Sequence, residues 1–252
     1  MPKNSSTKST DLDQPPPVTF PDPALALAEP NGLLASGGEL SPDWLLSAYR
    51  QGIFPWFNPG ESILWWSPDP RFGFVPGQIR LSASRLKQLR KQNWVIRADT
   101  CFEQVIRRCA DTPRTGQAGT WISEDMINAY TALHHLGYGH SIEVFDGPEL
   151  IGGLYGLAIG RMFFAESMFS QKSQASAFAL FALCKQLAFW QWPWLDAQLE
   201  NAHLKLLGGE PKSRDAFLRI LASQCRLSGQ PGYWSEYFPG LALADYRQMN
   251  AD

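Results

Sequence analysis

Arg161-Met-Phe-Phe-Ala-Glu-Ser-Met-Phe-Ser-Gln-Lys-Ser-Gln-Ala-Ser176 is the stretch on which the fold of this chain depends. It opens as an apolar, aromatic strand, and one carboxylate, Glu166, interrupts the apolar run. A polar loop follows, and then an apolar segment of helical length over 175–189. An ionisable group at the end of a hydrophobic strand, beside a helix N-terminus, is a common way to build a site. Taken alone, Glu166 favours the plainer reading, an edge-strand Glu facing water. The rest of the chain has to decide between the two.

Immediately upstream the hydrophobic period is two. Residues 140–145 read as a strand, Asp146-Gly147 signals a type I′ hairpin, 149–159 reads as a second strand, and Gly160-Arg161 turns into the third. Downstream of the helix, residues 194–198 read as another strand. Helices are expected over 82–92, over 101–109, and after Ser123. Ser123 is an N-cap, and Glu124 and Asp125 in the first turn suit the helix dipole. Runs of helix around a three-strand meander specify an α+β fold, a mixed sheet with a central antiparallel meander.

Before this lies a different kind of sequence. Residues 1–16 are polar and Pro-terminated and read as a disordered tail. Residues 17–70 read as a small N-terminal α/β domain. Ser41-Pro42 starts its helix and Gly52 stops it. Its second half brackets Phe54, Trp56, Phe57, Trp65 and Trp66 with Pro55, Pro59, Pro68 and Pro70. A shaped aromatic surface and a compact subdomain core both fit that composition. Pro68-Asp-Pro70 is the expected boundary, leaving 71–252 as the larger domain.

The 252 residues carry a formal net charge of −2, so the whole chain is no polyanion binder. From Arg80 to Arg97, however, there are Arg85, Lys87, Arg90 and Lys91 and no acidic residue. That is a footprint for an anion such as an RNA backbone, or simply a solvated face. The four cysteines, Cys101, Cys109, Cys184 and Cys225, form no Cys-x-x-Cys pair, which argues against a zinc site and a secreted disulfide framework. No apolar run reaches the roughly 18–20 residues of a membrane span. The polar N-terminus lacks a signal-peptide segment, so the expected location is cytoplasmic. No leftover apolar helix face is visible, so a monomer is expected.

Chemistry has few places to reside. No nucleophile–histidine–acid motif, Walker loop or Gly-x-Gly-x-x-Gly is present. Glu166 with Ser167 and Ser170 ends one strand, and Asp196-Ala-Gln198 ends the next. At period two, Asp196 and Gln198 share a face, where the carboxylate can orient the amide. Such a pair suits attack of an amine on an activated acyl group, which needs weak base help and positioning. From the sequence alone, two polar residues capping a sheet end explain it slightly better. The strand–loop–helix at 161–189 resembles the central piece of N-acetyltransferase-fold acyltransferases. Yet its loop, Gln171-Lys-Ser-Gln-Ala-Ser176, has no glycine to let a pyrophosphate approach the backbone. An acyl donor other than CoA is the sharper expectation.

Several motifs together resemble those of the leucyl/phenylalanyl-tRNA–protein transferases. They are Glu29-Pro-Asn-Gly-Leu-Leu-Ala35, Gly52-Ile-Phe-Pro-Trp-Phe57, Leu64-Trp-Trp-Ser-Pro-Asp-Pro-Arg71, Gly119-Thr-Trp-Ile122, Gly139-His-Ser-Ile-Glu-Val144, Glu166-Ser-Met-Phe-Ser170 and Leu195-Asp-Ala-Gln198. The resemblance spans about residues 18–240. It implies an enzyme that moves Leu or Phe, sometimes Met, from charged tRNA to proteins beginning with Arg or Lys, and so marks them for a bacterial protease. No metal or organic cofactor is implied. By the same resemblance Trp56 and Trp121 would sandwich the terminal adenine of the tRNA. Glu166 would bind the donor's α-amino group, with Tyr130 beside it. Leu154, Phe163, Met168, Leu180, Leu183 and Leu195 would line the side-chain pocket. Asp196 would orient Gln198, which would help the incoming amine attack. Arg85, Lys87, Arg90 and Lys91 would lie along the acceptor stem. The chain departs from the family pattern at Ala165, Gln171, Gln174, Ala177 and Ala197, and Glu210-Pro-Lys-Ser-Arg214 replaces a segment usually containing Glu-Ile-Pro-Arg. The runners-up are a non-catalytic RNA-binding protein and an acyl-CoA N-acyltransferase.

Overall fold

The computed structural model describes residues 18–89, 91–112, 120–238 and 241–242. The tail expected over 1–16, together with Arg90 and Gly119, lies outside them. In the first part, β1 (Leu33–Ser36), α1 (Pro42–Arg50), β2 (Phe54–Pro55) and β3 (Leu64–Trp66) build a three-stranded antiparallel sheet of order β1-β3-β2 beside one helix. Pro42 occupies the first turn of α1, as its Ser-Pro start dictates, although the Ser41 hydroxyl makes no capping bond.

The larger sheet has eight strands. In chain order the elements are β4 (Arg71–Phe74), α2 (Ala83–Leu89), β5 (Val95–Ala98), α3 (Phe102–Asp111), α4 (Glu124–His135), β6 (Gly139–Asp146), β7 (Glu149–Ile159), β8 (Met162–Ser170), α5 (Ala175–Phe189), β9 (Trp194–Asp196), α6 (Ala202–Leu206), β10 (Glu210–Lys212), α7 (Arg214–Gln224) and β11 (Leu241–Ala242). The strand order is β10-β4-β9-β8-β7-β6-β5-β11. β6, β7 and β8 are the expected antiparallel meander. The Asp146-Gly147 turn joins the first two, and Ser123 caps α4 by accepting the Met126 N–H at 3.3 Å. α5 then crosses over so that β9 pairs parallel to β8, the one parallel pair among the described strands of this sheet.

Two apolar cores sandwich the sheet. α5 is buried along most of its length and packs on one face against Phe72, Trp94, Ile142, Ile151, Leu154, Phe163 and Leu195. An all-round apolar helix must be buried in this way. Each fully buried Leu on it is worth about 1.5–3 kcal/mol. The opposite face packs against α1, α3, α4 and α7 through Tyr49, Ile106, Tyr130, Phe164 and Phe217. Residues of the N-terminal part, Leu45, Phe54 and Trp65 among them, belong to this second core. No described helix is long and apolar enough to cross a membrane.

Two expected strand ends are corrected. The strand carrying Glu166 does not stop there; it runs on to Ser170, so Glu166 sits inside it. The strand expected over 194–198 stops at Asp196, and Gln198 adopts a left-handed backbone with φ +57°. Asp196 and Gln198 therefore do not share a face by strand alternation.

Candidate active site

β8 carries one residue too many for its neighbour. Tyr155 of β7 pairs with Ser167 and Gly156 pairs with Ala165, leaving Glu166 as the extra residue of a β-bulge. The extra residue flips the parity of the strand. Phe163 and Ala165 face the α5 core, and beyond the bulge Met168 does so too, while Phe164 and Phe169 face the other core. As a result Ala165, Glu166, Ser167 and Met168, four consecutive residues, all line one cavity. A regular strand would turn every second one away.

Three donors converge on Glu166. The Tyr49 hydroxyl donates to Oε1 at 2.7 Å, Gln198 Nε2 donates to Oε1 at 2.8 Å, and the Tyr130 hydroxyl donates to Oε2 at 3.2 Å. The two phenolic oxygens lie 2.5 Å apart. Burial pushes the Glu166 carboxyl up to about 7; the two tyrosine hydrogen bonds oppose that rise without cancelling it. Burial and the adjacent carboxylate raise both tyrosines well above their ordinary value, so they remain donors.

Asp196 is held differently from the expectation. Arg71 grips it with both arms, Nε to Oδ1 at 2.8 Å and Nη2 to Oδ2 at 2.7 Å, and both side chains are fully buried. Asp196 Oδ1 also accepts the backbone N–H of Gln198 at 3.3 Å. The carboxylate thus orients Gln198 through its main chain. The side-chain amide of Gln198 is oriented by Glu166 instead, because the left-handed turn at Gln198 swings it toward β8.

The cavity is about 840 Å³, large enough for an amino acid together with a ring system. Its floor is apolar, formed by Phe74, Ala165, Met168, Leu180, Leu195 and Leu204. Phe54, Pro55, Trp56 and Trp121 form another part of the wall, and Leu199, Asn201, Ala202 and His203 a third. Trp56 is 37% exposed, open enough to receive a planar ring. Its own carbonyl is fixed by the Trp66 indole N–H at 2.6 Å.

Of the residues singled out from sequence, Glu166, Gln198, Trp56, Trp121, Met168, Leu180 and Leu195 come together on this cavity. Leu154, Phe163 and Leu183 do not line it; they are fully buried in the α5 core behind its floor. Tyr130 also stands behind the wall, touching Glu166 from the second core. Asp196 is likewise buried out of the cavity. Arg85 Nη1 donates to Leu206 O on α6 at 3.5 Å, and its charge, after burial, helps lower the pKa of His203 on the cavity wall. The basic helix therefore abuts the cavity rim, with Lys87 and Lys91 exposed. Sequence reasoning missed Tyr49, Arg71, Phe74 and His203. Tyr49 falls one turn after Leu45 on the buried face of α1, which is the signal that could have found it.

The 210–214 segment and the loop after β8, where departures from the family pattern are expected, are bonded to the rest of the protein. Arg214 Nη1 donates to Ser67 O at 2.6 Å, and its N–H donates to Asp69 Oδ1 at 2.9 Å, tying the 210–214 segment to the end of the N-terminal part. In the loop after β8 the N–H groups of Gln171 and Lys172 bond Ile151 O, that of Ala175 bonds Lys172 O, and that of Ser176 bonds Ser170 Oγ. These amides are committed inside the protein and unavailable to a pyrophosphate.

Comparison with known proteins follows the same lines. The family model described as leucyl/phenylalanyl-tRNA protein transferase matches residues 74–222, and the model of that family's N-terminal domain matches 38–69. A leucyl/phenylalanyl-tRNA–protein transferase of Xanthomonas oryzae is 54% identical over 226 residues, 90% of this chain and 90% of its own length. One of Nitrosomonas europaea is 53% identical over 215 residues, 85% of this chain and 91% of its own. A solved GCN5-related N-acetyltransferase from Kribbella flavida covers 68% of this chain and 61% of its own at 13% identity and a TM-score of 0.33, too low to weigh in the argument.

Proposed function

This chain belongs to the leucyl/phenylalanyl-tRNA–protein transferase family, and on that premise we propose that it joins Leu or Phe, and also Met, from charged tRNA to the α-amine of proteins beginning with Arg or Lys. The product carries a new N-terminal residue that marks it for degradation in the cytoplasm. Trp56 and Trp121 hold the terminal adenine by stacking. The apolar floor takes the donor side chain; a floor containing Met and Leu adapts to either, since a methylene there discriminates by only about 1–3 kcal/mol. Ionised Glu166 receives the donor's α-ammonium. The basic residues Arg85, Lys87, Arg90 and Lys91 run beside the acceptor stem.

The chemical step needs little from the protein. The acceptor's amine nitrogen attacks the ester carbonyl carbon, the bond to the ribose oxygen breaks, and one amine proton passes to that oxygen. An amide replaces an ester, so the step runs downhill without a cofactor. Gln198, its Nε2 committed to Glu166, offers Oε1 to an N–H of the incoming amine and aligns it. Positioning of this kind supplies most of what an amine–ester reaction lacks in solution.

The observation that carries this reading is the convergence on one cavity of Glu166, Gln198, an apolar floor and two indoles. The absence of glycine from the 171–176 loop and the four committed amides of Gln171, Lys172, Ala175 and Ser176 count against acyl-CoA. The test is incubation of the full chain with charged tRNA(Leu), charged tRNA(Phe) and a peptide beginning with Arg, followed by mass spectrometry. Addition of Leu or Phe to the peptide is expected. Binding of the charged tRNAs without transfer would reduce the protein to an RNA-binding module.

A further inference from the structure

The geometry points to Arg71 as a positioning residue for peptide-bond formation, a side chain that ties the segment bearing Tyr49 and Trp56 to the segment bearing Gln198. The inference rests on the transferase reading above. Arg71 opens β4, next to the strand that ends in Asp196. All its side-chain hydrogen bonds go to two places. Two go to Asp196, and the third runs from Nη1 to Gly52 O at 2.9 Å. Gly52 lies between Tyr49, which touches Glu166, and Phe54 and Trp56, which line the cavity. One rigid planar fork thus joins the segment that brings Tyr49 and Trp56 to the segment that brings Gln198. The guanidinium is packed between the Phe54 and Phe217 rings, 4.7 Å from each centroid, so it has no room to turn.

The grip reaches Gln198 through two routes. Asp196 Oδ1, already held by Arg71 Nε, accepts the Gln198 N–H. Phe72, the next residue on β4, donates its N–H to Gln198 O at 3.1 Å and accepts the Ala197 N–H at 2.9 Å. A non-glycine residue with φ +57° is a strained choice that persists only where its surroundings impose it. Here β4 imposes it, and the result aims the Gln198 amide at Glu166. Asp196 has no face on the cavity, and both its oxygens are engaged. It reaches no substrate; its part is to transmit the grip of Arg71. A buried ion pair is a weak source of net stability, whereas fixing two segments in register is what this one is built to do.

The test is a double-mutant cycle on the full chain with Arg71→Lys, Asp196→Asn and the double variant, reading kcat and donor KM alongside thermal denaturation. A lysine keeps the charge but loses the fork and the bond to Gly52. In folded Arg71→Lys, kcat should fall about 10- to 100-fold, as expected when catalytic groups shift by a fraction of an ångström. Donor KM should change far less than kcat, because Trp121 and the apolar floor stay in place when the Trp56 segment shifts slightly. The double variant should be no slower than the slower single one, since both act through one linkage. Arg71→Leu/Asp196→Leu, which removes both charges, serves where the lysine variant does not fold, with the same loss in kcat expected. Wild-type kcat in a folded variant, a loss confined to donor KM, or additive losses in the cycle would each overturn the inference alone. A wild-type chain that transfers nothing would remove the transferase reading and this inference with it.

Discussion

Glu166 is a carboxyl group with three hydrogen-bond donors aimed at it, and yet its pKa is raised to about 7 because desolvation outweighs the two tyrosine bonds. The two consequences have opposite signs. In the proposed role Glu166 holds an ammonium as the carboxylate, so kcat/KM should climb with pH through about 7 and level off above it, with a limb of about tenfold per unit on the acid side. Stability runs the other way. Folding raises this pKa from 4.5 to about 7, so the folded state binds the proton more tightly than the unfolded state. Its contribution is fully present below 4.5 and is lost as pH rises toward 7. Melting temperatures at pH 5 and pH 8, compared between wild type and Glu166→Gln, read this directly. The substitution should abolish the acid limb of activity and should shrink the decline in melting temperature on going to pH 8. An unchanged decline would show that the burial of Glu166 does not set its titration.

The bulge on β8 gives that carboxyl its orientation, and the partner strand makes the bulge possible. A Cβ added at Gly156, opposite the bulge, would stand 2.1 Å from Phe164 O and within 2.9 Å of the Phe163 ring. Gly156→Ala must therefore push the strands apart at the site. It should cost about 1–3 kcal/mol of stability, and it should lower kcat in whatever fraction folds. Gly77→Ala is the control; a Cβ there meets nothing within 4 Å, and its melting temperature should match wild type. A harmless Gly156→Ala would mean that the bulge tolerates a wider ladder than the packing allows. The same bulge shows why the sequence was legible in some places and opaque in others. The Asp146-Gly147 turn and the Ser123 cap announce themselves because their causes are local, within a few residues. Glu166 is visible as a charge inside an apolar run. That it lies mid-strand is not visible, since the extra residue is defined only against β7. Leu154, Phe163 and Leu183 are apolar in the right places but sit behind the floor, and how deep each lies in the α5 core is set by tertiary packing that no local pattern carries. Arg71 and Asp196 are 125 residues apart, so no spacing rule links them.

At the scale of the molecule, the proposed division into residues 17–70 and 71–252 separates two sheets but not two cores. The two family models also divide between residues 69 and 74. Leu45, Tyr49, Phe54 and Trp65 nonetheless share one apolar cluster with Tyr130, Phe164 and Phe217. Polar ties also cross the division, among them Arg71 to Gly52 O, Arg214 to Ser67 O and to Asp69, and Tyr49 to Glu166 and to Tyr130. Domains that unfold independently have their own cores and few crossing contacts. Here the smaller part supplies the indole of Trp56 and the Tyr49 hydroxyl, the larger supplies Glu166 and Gln198, and the site exists only where they meet. The two parts should consequently unfold together. Far-UV circular dichroism and tryptophan fluorescence should report one coincident transition in urea, although the indoles are concentrated near the smaller sheet and around Trp190, Trp192 and Trp234. A fragment of residues 71–252 would leave Phe164, Tyr130 and Phe217 facing water and one buried donor of Arg71 without its acceptor, a loss worth about 1–3 kcal/mol on its own. It should therefore lack a cooperative transition and bind a hydrophobic dye. Two separated transitions in the full chain, or a cooperatively folding fragment, would show that the smaller part is an independent domain, and that the register between Tyr49 and Gln198 is set by docking rather than by a common core.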